Sequence, residues 1–441
     1  MALTLIKNGT VITMNSARDI VKADVLIDGA IIRKIGKIRV PSGSRVRVID
    51  AQGCIVAPGF VQTHIHLCQT LFRNLADDLE LLDWLKLKIW PFEAAHNPAS
   101  IRLSAEMGLT ELIRGGTTTI MDMGTVHHTD HIFEAMDRSG IRALCGKAMM
   151  DDCPGAPKGL IETRAWSVEE SLHLMRYWHR RSDGRLRFAF APRFVLSCSE
   201  ELLCEVRDLS EEYGLLVHTH ASENRGELAE VIKKCGTPNV EYFHDIRLTG
   251  ERLCLAHCIH LNETERHILR DTGTKVMHCP SSNLKLGSGI AHVPELLGLG
   301  VTVSLGADGA PCNNNLDMFQ EMRLAALLQK PRLGPRSITA EEVYTMATLG
   351  GAKTLGLSDE IGSLETGKRA DLIIMQLDEI HSRPEENLYS QIVYSAKSTD
   401  VRTVVVDGKV LMKDRRMVTL DDESVRHRIG PELKKLLNRI A

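Results

Sequence analysis

Short apolar runs recur along the middle of the chain, and several stop at a side chain able to bind metal or move a proton. Eight such runs follow one another: one ending at His66, then 117–123, 141–151, 186–192, 215–220, 253–257, 275–278 and 301–308. Stretches of helical period lie between them, for example 101–114, 200–213 and 263–271. Eight strand-then-helix units predict an α/β fold, a (β/α)8 TIM barrel whose chemistry gathers at the C-terminal ends of its strands.

The two ends of the chain follow a shorter period. Residues 3–6, 10–13, 24–27 and 30–32 are β-branched runs, and Asn8-Gly9 and Asp28-Gly29 between them are hairpin turn signals. Residues 370–375, 401–406 and 410–412 repeat the style around Asp407-Gly408. We therefore expect a β-sandwich built from both termini, with residues 1–58 and 363–441 flanking a barrel domain at 59–362.

Composition narrows the partners. With 54 basic and 57 acidic residues in 441, the net charge is −3, which gives no electrostatic reason to bind nucleic acid or an anionic membrane. A small-molecule substrate fits better. No secretory segment opens the chain and no apolar run could cross a bilayer, so the expected location is cytoplasmic. Eleven cysteines, an odd number without a CxxC pair, read as reduced buried thiols.

Chemistry enters at the strand ends. His64 and His66 share one face of a strand, because side chains repeat every second residue, and two imidazoles suit a divalent metal. His220 and Glu223 end the fifth run, His257 the sixth and Asp308 the eighth. Three histidines and a carboxylate leave room for a water, whose pKa a metal lowers to ~7. Glu223 can accept its proton, and Asp308 can relay another to the leaving group. His257 could be a ligand, an outer partner or simple packing; a polarising partner for substrate or water is preferred. His218 reads as a packed histidine lower in the barrel. The fourth run, Phe188-Ala189-Phe190-Ala191, has no lysine to bridge two metals, so one metal is expected.

On these residues the chain resembles the amidohydrolase superfamily, over essentially its whole length. Pro58-Gly59-Phe60-Val61-Gln62-Thr63-His64-Ile65-His66 resembles the signature of the first strand. Ser282-Asn283-Leu284-Lys285-Leu286-Gly287-Ser288-Gly289, Asp308-Gly309 and residues 321–325 resemble the branch of adenosylhomocysteine deaminases, guanine deaminases and triazine hydrolases. Residues 360–372 resemble the return into the terminal β unit. The resemblance implies one divalent metal per subunit, zinc before iron, on His64, His66, His220 and Asp308. It also implies Glu223 as proton shuttle, His257 beside the reacting carbon, and a homodimer or higher homo-oligomer.

For substrate the resemblance divides. Gln69 and the segment around Arg193 are similar to guanine deaminases, so guanine to xanthine plus ammonia is the first expectation. Trp84 and Glu93 match pocket residues of adenosylhomocysteine and methylthioadenosine deaminases, the second expectation, although those enzymes usually carry His where Arg193 stands and Arg where Lys147 stands. Cys312 is similar to the triazine enzymes, which makes a melamine-type or chlorotriazine hydrolase the third. A catalytically dead barrel serving as scaffold is the rival from another class; the presence of every expected metal and proton-transfer residue argues against it.

Overall fold

The computed structural model describes residues 3–39 and 45–440. Barrel strands β1 (Phe60–His66), β2 (Thr117–Asp122), β3 (Arg142–Cys145) and β4 (Leu186–Phe188) pair in parallel in that order. So do β5 (Val217–Ala221), β6 (Leu253–His257), β7 (Lys275–His278) and β8 (Val303–Leu305). Two seams join the halves. Phe190, just past β4, bridges Val217, with Phe190 N donating to Leu216 O at 2.9 Å and His218 N donating to Phe190 O at 2.8 Å. Beyond β8, Asp308 and Gly309 pair in parallel with Ile65 and His66 of β1. The ring of parallel strands thus closes at the residues that carry the candidate chemistry.

Helices form where the sequence supplies both an apolar stripe and a cap. Ser199 Oγ accepts from Leu202 N at the start of Glu200–Tyr213, and Gly214 ends that helix at φ 65°. Asn262 and Glu265 form a capping box on Glu263–Thr272, and Asn97 with Ser100 does the same for Pro98–Arg114. Their buried residues, such as Leu202, Val206, Leu269 and Leu109, face one apolar core that continues into the barrel wall.

The termini share one hydrogen-bonded sheet rather than two separate ones. Nine strands hydrogen bond in one sheet, joined where Leu372–Met375 pairs antiparallel with Ile55–Pro58. The edge strand Ile31–Gly36 returns to bridge Arg369 through Ile31, so the sheet rolls over a core of its own containing Ile6, Val25, Ile27, Leu372 and Val405. The Asn8-Gly9 signal is corrected as well. Leu3–Ile12 runs as one strand, and its register shifts between Ile6 and Gly9. Asn8 sits at φ 64°, with its Nδ2 donating to Asp50 Oδ1 at 2.9 Å, so the pair makes a bulge rather than a turn. Asp28-Gly29 and Asp407-Gly408 do join consecutive antiparallel strands.

One buried ion group ties this sheet to the barrel. The fully buried Arg142 of β3 donates through Nε to Asp371 Oδ2 at 2.7 Å and through Nη2 to Asp407 Oδ1 at 2.5 Å. Removing the cation strands two carboxylates away from water. Arg142→Met is expected to cost about 3–5 kcal/mol of unfolding free energy, read by urea titration. A loss below about 1 kcal/mol would mean the ion group is not a structural tie.

Candidate active site

Each strand end delivers its side chain for a local reason. The alternation of β1 aims His64 and His66 inward together, and the pairing of Asp308 with Ile65 brings the carboxylate across the seam to them. Asp308 Oδ1 lies 3.2 Å from His64 Nε2 and 3.4 Å from His66 Nε2, and His66 Nε2 lies 3.3 Å from His220 Nε2. One ligand atom from each of His64, His66, His220 and Asp308 falls within a span of 4.8 Å. Four ligands at zinc-bond lengths sit at tetrahedron corners ~3.4 Å apart, so this cluster has the dimensions of a metal cage.

The outer contacts set the tautomers that a metal needs. His220 Nδ1 donates to the backbone oxygen of Arg193 at 2.6 Å, which turns the Nε2 lone pair inward. His64 Nδ1 meets His218 Nε2 at 2.6 Å, and His64 Nε2 is buried without any hydrogen-bond partner in the protein. His218 is therefore an orienting residue behind the cage, lower in the barrel as expected. Ser282 Oγ donates to Asp308 Oδ2 at 2.7 Å. Burial holds His66, His218 and His220 well below the ordinary histidine range, so their imidazoles are neutral and free to ligate. Burial opposes the Asp308 charge, but His64, His66 and His257 outweigh it and hold the carboxyl well below its usual range. An orphaned inward nitrogen, neutral imidazoles and an ionised carboxylate together fit a divalent cation.

Glu223 and His257 stand beside the cage. Glu223 Oε2 lies 3.4 Å from His257 Nε2, and Glu223 N donates to Glu227 Oε2 at 3.1 Å. Burial, then Asp308 and Glu227, push the Glu223 carboxyl well above its ordinary value. His257 Nδ1 bonds Asn283 Oδ1 at 2.8 Å, while Nε2 points at Glu223 and Asp308. Burial lowers this imidazole to about 4. His257 and Asp308 adopt φ 73° and 61°, a conformation costing side-chain-bearing residues about 1–3 kcal/mol and found where geometry is enforced.

A small chamber of about 30 Å³ opens on the cage, and Gln69, Trp84, Arg193, Phe194 and Glu223 line it. Phe194 also lines a larger groove of about 560 Å³, together with Lys86, Trp90, Cys153 and Lys233. Gln69, Trp84 and Arg193 thus reach the chamber. Glu93 and Cys312 do not line it. Glu93 sits behind, taking Arg193 Nη1 at 2.5 Å and Gln69 Nε2 at 2.9 Å. Cys312 is fully buried, its thiol turned to Gly309 O at 3.0 Å. Gly309 itself has no room for a side chain, since a Cβ there would stand 2.1 Å from Gln69 Oε1.

Sequence reasoning gave no role to Ser282, Asn283 or Glu227. The polar run Ser281-Ser282-Asn283 directly after β7 was the available signal for the first two. Lys147 is fully buried and bound to Glu162 at 2.6 Å and to Glu170 at 3.5 Å, so it serves the wall and not the chamber. His127 and His128 have ring centres 6.4 Å apart, as do His128 and His131, and His131 bonds Arg102 and Glu134.

Known proteins match the chain over most of its length. Residues 55–411 match the amidohydrolase family. The chain is 37% identical over 438 residues to a 5-methylthioadenosine/S-adenosylhomocysteine deaminase of Syntrophomonas wolfei, covering 99% of each. It is 40% identical over 405 residues to a 5'-deoxyadenosine deaminase of Methanothermobacter thermautotrophicus, covering 92% of each. Among solved structures, an adenosine deaminase from Xanthomonas campestris with bound zinc superposes with a TM-score of 0.90 at 29% identity, over 99% of this chain and 98% of that one. The E. coli guanine deaminase superposes at 0.82 with 31% identity, over 94% and 100%.

If the four inward groups hold one ion, elemental analysis of the purified protein should find one divalent metal per subunit, and His66→Ala should lose it. His218→Ala, which only frees His64 Nδ1, should weaken metal affinity about 10–100-fold in a chelator titration. Full metal retention by His66→Ala would rule out this ligand set.

Proposed function

The chain belongs to the amidohydrolase family and hydrolyses carbon–nitrogen bonds of cyclic amidines, and we propose that its substrates are adenosine-type nucleosides: 5'-deoxyadenosine, 5-methylthioadenosine or S-adenosylhomocysteine. Guanine, the first expectation from the sequence, is set aside. That preference leaned on Arg193 and Gln69 as free readers of a base, whereas both side chains are bound to Glu93. The curated relatives, aligned end to end with this chain, also favour the nucleoside. The observation that carries the reading is the space across Phe194. A bare base has no use for a second groove of about 560 Å³, while a ribose with a 5' substituent does. The inner chamber, about 30 Å³, takes water but not a purine, so the ring enters as Trp84 and Phe194 part.

In the proposed reaction, water adds to the ring carbon bearing the amine, and ammonia leaves. A divalent ion on His64, His66, His220 and Asp308, taken to be zinc, supplies Lewis acidity that brings a water's pKa to ~7. Glu223 takes a proton from the attacking water and delivers it to the adjacent ring nitrogen; its raised affinity for protons suits it to both acts. His257, neutral and steadied by Asn283, accepts a hydrogen bond at Nε2 and so aims the water at the ring. Asp308 passes the second proton to the departing amine, with Ser282 holding its other oxygen. Barrel and terminal parts divided at 58 and 362, and assembly into a homo-oligomer, belong to the same proposal.

An ammonia-release screen over 5'-deoxyadenosine, methylthioadenosine, adenosylhomocysteine, guanine and melamine tests the substrate. Turnover of the nucleosides at least about a hundredfold above guanine in kcat/KM is expected; guanine as the best substrate would overturn the reading. Glu223→Gln should lower kcat by about 10²–10⁴ while metal content stays at one per subunit. Undiminished turnover would remove Glu223 from the proton path.

A further inference from the structure

Two short helices carry the inner network of the chamber. Leu67–Phe72, directly after β1, holds Gln69, and Trp90–Ala94 holds Glu93. The chain between them, with Leu81, Trp84 and Leu85, lines the chamber. The outer sides of the two helices rest on something remote in sequence. Leu71, Phe72, Phe92 and Ala95 form a small core of their own, closed by the fully buried Leu436 of the C-terminal helix Asp422–Leu437. Just past that helix, Arg439 Nε donates to Ala95 O at 2.6 Å. The next residue, His96, bonds Cys68 O at 2.8 Å and lies tilted at 31° against Phe72 with ring centres 4.8 Å apart. Both feet of the covering segment are thus held together: Ser104 of the next helix binds Leu67 O and Leu71 N, and the far end of the chain adds the contacts of Leu436 and Arg439.

We propose that Leu436 and Arg439 are positioning residues for substrate. They pin the feet of segment 67–95, so that Gln69 and Glu93 keep their register with Arg193 while the crest at Trp84 opens and closes. Neither residue approaches the metal cage, so the effect falls on binding and not on the chemical step. Helices of six and five residues are too short to hold themselves. The proposal rests on the deaminase reading for its kinetic consequence, but not for its structural one.

Hydrogen exchange and steady-state kinetics on Leu436→Ala, Arg439→Ala and the conservative Leu436→Met test it. In the first two, peptides spanning 67–75 and 90–97 should exchange faster, while those spanning 217–221 and 253–257 stay unchanged. KM for the nucleoside should rise about tenfold, with kcat within about twofold and one metal per subunit retained. Leu436→Met should restore both readouts. Unchanged exchange at the two feet would overturn the proposal, and so would a fall in kcat and metal content with KM unaltered. If the wild type deaminates none of the nucleosides, the substrate reading fails; the exchange pattern still decides whether the feet are pinned.

Discussion

Three imidazoles and one carboxylate, taken out of water and aimed at a common point, are the constraint on which the rest of the site depends. Such a set is unfavourable without a cation, because inward lone pairs have no donor to meet. The protein enforces it from behind: the Arg193 carbonyl turns His220, His218 turns His64, and Ser282 steadies Asp308. Barrel closure supplies the remaining precision, since the pairing of Asp308 with Ile65 is at once the last seam of the ring and the approach of the fourth ligand.

Around this centre, charge is either paired or put to use. Glu93, behind the chamber wall, pairs with Arg193 on it, and Gln69 completes the group. Asp122, at the end of β2, accepts from Leu67 N at 2.7 Å and Gly124 N at 2.8 Å, fixing the turn out of β1. Glu223, like Asp122 and Glu227, is a buried acid without a lysine or arginine ion pair among the described residues, and burial pushes its carboxyl well above the ordinary value. A group held in that state costs stability, and proton transfer is the use proposed for Glu223.

Much of this was legible in the sequence because barrel chemistry follows strand period. HxH after Pro-Gly, the polar stops at His220, His257 and Asp308, and the alternation of apolar runs with helical stretches all describe local structure, and local structure is what periodicity reports. What escaped was pairing across distance. Nothing near Arg193 announces Glu93, one hundred positions earlier, and nothing near His64 announces His218. Both pairings bear on the proposed reading: the first leaves Arg193 bound to Glu93 and not free to read a base. Asn8-Gly9 misled for a different reason, because the dipeptide favours a left-handed residue and a bulge uses that conformation as readily as a hairpin. The C-terminal helix Asp422–Leu437 has no counterpart in the expectation of a β unit over 363–441, and its contact with Leu71 and Phe92 is what gives Leu436 meaning.

Diffraction from crystals of the purified enzyme at the zinc absorption edge tests the central claim most directly. One anomalous peak is expected per subunit, ~2.0–2.2 Å from His64 Nε2, His66 Nε2, His220 Nε2 and an Asp308 oxygen. A peak elsewhere, or full activity in protein whose cage holds no ion, would contradict it.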